Sequence, residues 1–310
     1  MRRGGGAMGR GSRLVVFGGA LWLCAAVAGA GETVRLACWN VRNYLIDDRI
    51  VEGQYRSAYP KPEEEKTALR TALHAVRPDV LLLQEIGDEP FLRELQRDLA
   101  AEGLAYPYRH VLDGPDEQRH LAVLSRLPFT AIVPHPHLPI RYRGEEIPVK
   151  RGLLEIIFET AGERWHLFNL HLKSRFTNFP EDPQSADRRN REATAIRETV
   201  RAVLREDPAR VVVVGGDFND GPASRPLARF LEINRRPFLS PVAMTDPRGD
   251  RWTHFYPRAG VYSQIDFFLL SPAAVERMVE GSGRIIDTPA VRAASDHRLL
   301  VLEMRFGGQK

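Results

Sequence analysis

Cysteine is almost absent from this chain: of 310 residues, only Cys24 and Cys38 carry thiols. That excludes a disulfide framework and a structural zinc site built on cysteine pairs. No H-E-x-x-H pattern occurs either, so a helix-borne zinc site of that kind is excluded. From Glu32 onward there is no low-complexity linker and no internal repeat, which excludes solenoids and tethered arrays. Long apolar runs are missing too, apart from Leu14–Ala28. That run is shorter than the ~20 apolar residues of a membrane span and is interrupted by glycine.

Its surroundings give it a meaning. Arg2, Arg3, Arg10 and Arg13 precede it, and Ala26-Val27-Ala28 or Ala28-Gly29-Ala30 offers a small-residue exit. A charged start, a short apolar stretch and small residues at the end describe a secretory leader. Residues 1–30 are therefore expected to be a signal peptide and 31–310 the mature domain, secreted or periplasmic. An uncleaved anchor is the alternative, disfavoured by length. Leu23 is too bulky for a lipid attachment signal at Cys24.

Excess charge is the last absence. The chain has 44 Lys+Arg against 40 Asp+Glu, and the leader holds four arginines and no acid, so residues 31–310 balance. The basic pI belongs to the leader and does not argue for nucleic acid, although a neutral protein can still hold a local basic groove. Cys38, within the alternating stretch VRLACW, reads as a small packed apolar residue.

What is present is a set of short β-rich runs alternating with helical stretches. Val34–Trp39 reads as a strand, followed by a polar loop through Glu65 and a helix over Lys66–Val76. Asp79–Gln84 is a buried strand by its continuous apolar run. Asp88–Ala100 is an amphipathic helix with Asp88 as N-cap. Strands are expected at Tyr108–Leu112, Leu121–Ser125, Gly152–Phe158, Trp165–Leu172, Arg210–Val214, Ile265–Leu270 and Leu299–Phe306. Ala186–Leu204 and Pro272–Val279 read as helices. Strands outnumber the helices between them, which fits two sheets packed face to face with helices outside.

Polar residues cluster where these strands begin or end. Asn40, Glu85, His171, the pair Asp217 and Asn219, and the pair Asp296 and His297 follow or flank apolar runs, and Asp266 opens one. Rigid strand ends can converge such groups on one cleft. Oxygen donors at Asn40, Glu85 and Asp296 suit a hard ion such as Mg²⁺, with Mn²⁺ or Ca²⁺ as substitutes. Asp217 could orient or deprotonate an attacking water, and His297 held by Asp266 could act as acid, base or oxyanion ligand. The amide of Asn219 would stabilise developing charge.

The order W-N-V, Q-E, L-H-L-K-S, G-D-F-N-D, Q-I-D-F-F-L-L-S and S-D-H resembles the endonuclease/exonuclease/phosphatase superfamily, from about Val34 to Phe306. Single motifs are weak; all six in this order are specific. The resemblance implies a four-layered α/β sandwich, with two mainly antiparallel sheets flanked by helices, and divalent-metal phosphoester hydrolysis. It implies Glu85 as principal metal ligand, helped by Asn40 and Asp296, with Asp217 and Asn219 handling water and phosphate. It pairs Asp266 with His297 and places His171 near the leaving group. Lys173, Ser174, Arg119 and Arg151 are implied as substrate contacts.

Blander assignments stand beside these. The arginines of Ala186–Leu204 interleave with acids and read as a solvated helix face before a DNA surface. His135 and His137 flank a proline with no third ligand in view. The expected function is a secreted phosphodiesterase or nuclease, with DNA or RNA as candidate substrate. The alternatives are a phosphatase or sphingomyelinase-like enzyme, or a binding protein of the same fold. No long apolar loop argues for a membrane substrate. Arg42–Glu65 and Arg175–Gln184 are the expected specificity segments, through Tyr44, Tyr55, Tyr59, Phe176 and Phe179.

Overall fold

The computed structural model describes residues 31–307, so the expected leader lies outside the described residues. Two six-stranded sheets face each other. The first runs Arg284–Ile286, Leu299–Phe306, Glu32–Tyr44, Val80–Ile86, His120–Ser125, Tyr108–Leu112. The second runs Ser240–Pro241, Asp266–Leu270, Val211–Asp217, Glu163–His171, Leu153–Thr160, Ala131–His135.

Each sheet is antiparallel except for one central pair: Glu32–Tyr44 beside Val80–Ile86, and Glu163–His171 beside Val211–Asp217. A parallel pair needs a crossover, because its connection must return to the starting end. The helices Glu63–Val76 and Ala186–Glu206 make the two crossovers.

Side-chain alternation sorts the strands into layers. Leu36, Cys38, Leu82, Ile156, Leu167, Val213 and Phe268 fill the space between the sheets. Ala37, Trp39, Leu81 and Leu83 point the other way, onto Glu63–Val76, Glu89–Ala101 and Pro289–Ala294. Val212, Val214 and Phe168 face Ala186–Glu206 and Arg225–Leu231. The four-valine run is thus buried on both sides, as its composition requires. Phe158, Trp165 and Phe306 stack at the base of the inter-sheet core, with centroids 4.5 and 5.1 Å apart. Cys38 is buried there, and burial pushes its thiol well up. The result is the expected four-layered sandwich.

Several details differ from the sequence expectation. The segment after Trp39 is not a loop: the first strand continues to Tyr44, and Ile46–Val51 pairs with Gln54–Pro60 as a projecting hairpin. Its apolar residues are exposed, so it lacks the buried alternation that marks a strand in sequence. The following helix starts at Glu63, just after Pro62. Asp88 does precede the next helix, but its side chain makes no capping hydrogen bond. The short strands within 131–148 and the helices Arg225–Leu231 and Pro289–Ala294 are too brief for periodicity to reveal.

Candidate active site

One end of the two central parallel pairs forms the cleft. In the second sheet His171, Asp217 and Asp266 lie side by side on three neighbouring strands. Gly216 permits this close register: a Cβ there would lie 2.1 Å from the Leu170 carbonyl oxygen. In the first sheet Asn40 pairs with Gln84, and the ladder is irregular beyond both. Glu85 sits in that irregularity with φ of 60°, a conformation that costs a non-glycine residue about 1–3 kcal/mol. The bulge re-aims the carboxylate along the cleft, where the Asn43 amide donates to it at 3.1 Å.

Asp217 is the hub. Its Oδ2 accepts from Asn40 Nδ2 at 3.0 Å and lies 3.4 Å from His171 Nε2 and 3.9 Å from His297 Nε2. Its Oδ1 accepts from the Asn219 amide at 2.8 Å. Asn219 holds a left-handed φ of 53° and its side chain donates to the Leu172 carbonyl. Asp266 takes the other side of His297, 2.9 Å from Nδ1, and is itself steadied by Thr253 Oγ1 at 2.6 Å. Glu85 joins through His171 Nε2 at 3.9 Å. Asp296 stands at the rim, 3.7 Å from Arg42 and 3.9 Å from His254.

These environments separate the three histidines. Burial alone would lower His297, but Asp266 and Asp217 outweigh it and push the imidazole up to about 10, so it is a cation at neutral pH. Burial, reinforced by the charges of Arg151 and His297, drives His171 well down. Burial and His297 push His254 down to about 4. Asp217 is raised to about 7, by burial first and Asp266 second. Four acidic side chains, those of Glu85, Asp217, Asp266 and Asp296, thus gather around this histidine cluster. That surplus of negative charge, carried on oxygen donors at Glu85 and Asp296 with Asn40 beside them, fits a hard divalent cation. Two compact groups of possible metal ligands occur here, His254–Asp296–His297 and Asp217–Asp266–His297. In the second, Asp266 and His297 already bond each other, which leaves fewer free lone pairs for an ion.

The other expected contacts stand further back. Arg119 braces the hairpin root, donating to Asn43 Oδ1 and pairing with Asp47 at 3.1 Å. Arg151 is buried against Asp116 at 3.0 Å and donates to the Leu172 carbonyl. Lys173 turns its amine back onto the Ser174 and Phe176 carbonyls, so neither Lys173 nor Ser174 is brought to the hub. Burial, with Arg151 and Lys150 nearby, pushes that amine down to about 8. His135 lies elsewhere, 3.0 Å from Glu155, which also binds His166.

Some residues of the site were not anticipated. His254 packs over His297 with ring centroids 4.6 Å apart. Ser295 ties the Asn40 carbonyl to the His297 amide. Asn169 spans the sheets, donating to the Leu83 and Ala122 carbonyls and accepting from Gln84 at 2.6 Å. The signal for Asn169 and Gln84 was a polar residue inside an apolar run, one or two positions from a site residue.

Around the cleft, apolar side chains are exposed. Among the described residues, nine of eleven exposed large hydrophobics lie on three projections: Ile46, Ile50, Tyr55 and Tyr59; Phe176 and Phe179; Tyr256, Val261 and Tyr262. The chain thus has an apolar rim that no single sequence run revealed. Among the described residues no helix is long and apolar enough to cross a membrane.

Fold and site together define a class: a double-sheet α/β sandwich whose strand ends converge carboxylates, amides and histidines on one cleft. The sequence profile of the endonuclease/exonuclease/phosphatase family matches residues 37–297, and the chain belongs to that family. It is thereby a phosphoesterase by family. None of the curated proteins matches it in sequence. Similar solved structures include the human Nocturnin catalytic domain with bound sulfate, 16% identical, TM-score 0.61, covering 88% of this chain and 94% of that one. A beta toxin from Staphylococcus aureus is 16% identical with TM-score 0.61, over 87% of this chain and 99% of its own. An endonuclease/exonuclease/phosphatase from Bacteroides vulgatus is 15% identical with TM-score 0.61, over 89% and 99%. At such identities the likeness is one of fold.

Proposed function

We propose that this chain is an exported, Mg²⁺-dependent phosphodiesterase that hydrolyses nucleic acid by direct attack of water on phosphorus. The observation that carries the proposal is Asp217: one carboxylate, buried within the cleft, in contact with Asn40, Asn219, His171 and His297. In this mechanism Asp217 orients the water and takes its proton as the new oxygen–phosphorus bond forms. His297, kept charged by Asp266, binds a phosphoryl oxygen, and the Asn219 amide binds another as negative charge grows. His171, held neutral by its burial, donates an Nε2 hydrogen bond to the leaving oxygen as the old bond breaks, and that oxygen takes its proton from solvent. Glu85, with Asn40 and Asp296, would hold the ion, which supplies further neutralisation of phosphoryl charge. The leader accounts for export.

The test compares plasmid DNA with a soluble aryl phosphodiester, each with Mg²⁺ or with EDTA. Mg²⁺-dependent nicking supports the proposal. Cleavage of the aryl ester alone would keep the site and discard the nucleic acid. A second substrate class has one observation in its favour: the exposed apolar rim, whose aliphatic Ile46, Ile50 and Val261 suit a lipid surface better than base stacking. Phospholipid vesicles therefore belong in the same assay.

A further inference from the structure

The helix Ala186–Glu206 reads from sequence as an ordinary charged face, and its first half is one. Arg188 pairs with Glu192, Arg189 with Asp220 and Arg191 with Asp187. The second half differs because other elements add arginines to it. Arg197, Arg201 and Arg205 recur every four residues on one face. Arg225 and Arg229 come from the helix packed alongside, which Arg229 ties to Asn190. Arg235 and Arg236 come from the turn that follows.

These side chains line two adjoining cavities of about 610 Å³ each, which share Arg201, Ile233 and Asn234. Glu232 is the one acid among the described lining residues, and no lysine is among them. Glu198 offsets Arg197 and Arg201. The side chains of Arg205, Arg225, Arg235 and Arg236 have neither an ion pair nor a hydrogen bond among the described residues. Arg197 Nε is buried without a partner. Asn234 and Arg235 both hold left-handed backbone, φ 52° and 62°, in a two-residue turn where glycine is usual at the second position. Residues 31–310 carry balanced charge, so a trough this one-signed requires segregation.

We infer that this trough is a second site, separate from the cleft, which binds the phosphodiester backbone of single-stranded nucleic acid. Arginine forks match phosphate oxygens in pairs, which a set made only of arginine favours. Leu204, Ile233 and Phe238 form an apolar floor between them that suits sugar and base. The trough is concave and has few exposed aliphatic side chains, which favours a strand over a flat bilayer. Along the helix, Arg197 and Arg205 lie ~12 and ~24 Å from Arg189, whose guanidinium donates to the Lys173 carbonyl near the cleft, so the trough runs away from the cleft and its far end can hold a strand without occupying the active site. The inference concerns binding alone and stands apart from the proposed hydrolysis.

The test is fluorescence anisotropy of a labelled oligothymidylate of about 16 nucleotides, in EDTA and across a salt series. Arg225→Glu, Arg235→Glu and Arg236→Glu together should weaken binding about tenfold or more and flatten the log–log salt slope by roughly 2. A control with Arg93→Glu, Arg164→Glu and Arg305→Glu makes the same change in net charge on other faces and should bind as wild type does. The neutral Arg→Gln triple should show a smaller loss of the same sign, at an unchanged melting temperature. Equal loss in the control triple, no wild-type binding at low salt, or loss only toward phosphatidylglycerol vesicles would each overturn the inference. Hydrolysis of the aryl ester should be untouched by the triple. Failure of wild type to nick plasmid or to cleave the aryl ester would sink the proposed function and leave the binding result standing.

Discussion

At the scale of single residues, the site works through groups whose neighbours decide their charge. Asp217→Asn keeps the shape and one of the two accepted hydrogen bonds, from Asn40 or from the Asn219 amide, but removes the proton acceptor. Hydrolysis should fall about 10²–10⁴-fold with little change in melting temperature, since relief of the buried charge beside Asp266 offsets the lost hydrogen bond. Steady-state rates and thermal melts on the same preparation check this. A second prediction concerns Glu155, far from the cleft. Burial would raise its carboxyl, but hydrogen bonds from His135 and His166 outweigh that and hold it below the usual 4.5. The native state then binds fewer protons than the unfolded one. The resulting stability is present above about pH 4.5 and is lost as pH falls through the depressed folded value. Urea midpoints should drop more steeply below that pH in wild type than in Glu155→Gln. A parallel drop in both would show that the network contributes nothing.

At the scale of elements, the proposed function places the choice of substrate on the three projections around the cleft. Asn169→Ala removes the clamp between sheets two residues before His171 and should lower both stability, by about 1–3 kcal/mol, and activity. Replacing Phe176 and Phe179 should alter the ratio of activities on different phosphoesters more than the melting temperature, because Phe176 is largely exposed and Phe179 touches Tyr142 and Arg143 on one side. Uniform loss on every substrate with a lowered melting point would show instead that the loop holds the domain together. Ile50 and Tyr55, opposite each other near the hairpin tip, should matter for vesicle substrates and not for soluble ones.

At the scale of the whole molecule, the cleft forms only when both sheets and their crossovers are in place, so the proposed metal binding would be linked to folding. Mg²⁺ at ~100 times its Kd should stabilise the protein by about 2.7 kcal/mol. Differential scanning calorimetry with and without EDTA reads this, and Glu85→Gln should abolish the gain. An unchanged transition in wild type would contradict metal binding at this cluster.

The sequence by itself determined the layers. Apolar runs such as Val211–Val214 can only be buried on both sides, and short strands outnumbering helices leave facing sheets as the economical way to cover them. It also showed that Asn40, Glu85, His171, Asp217, Asn219, Asp266 and His297 flank those runs, since a polar residue beside a buried strand stands out locally. What periodicity could not reach is whatever depends on neighbours distant in the chain. The bulge that turns Glu85, the stacking of His254 on His297 and the hairpin after Tyr44 are decided by packing across strands. The arginine trough drew on three segments, each unremarkable alone. Charge and contact act through space, so only the folded chain could show which arginines remain without partners.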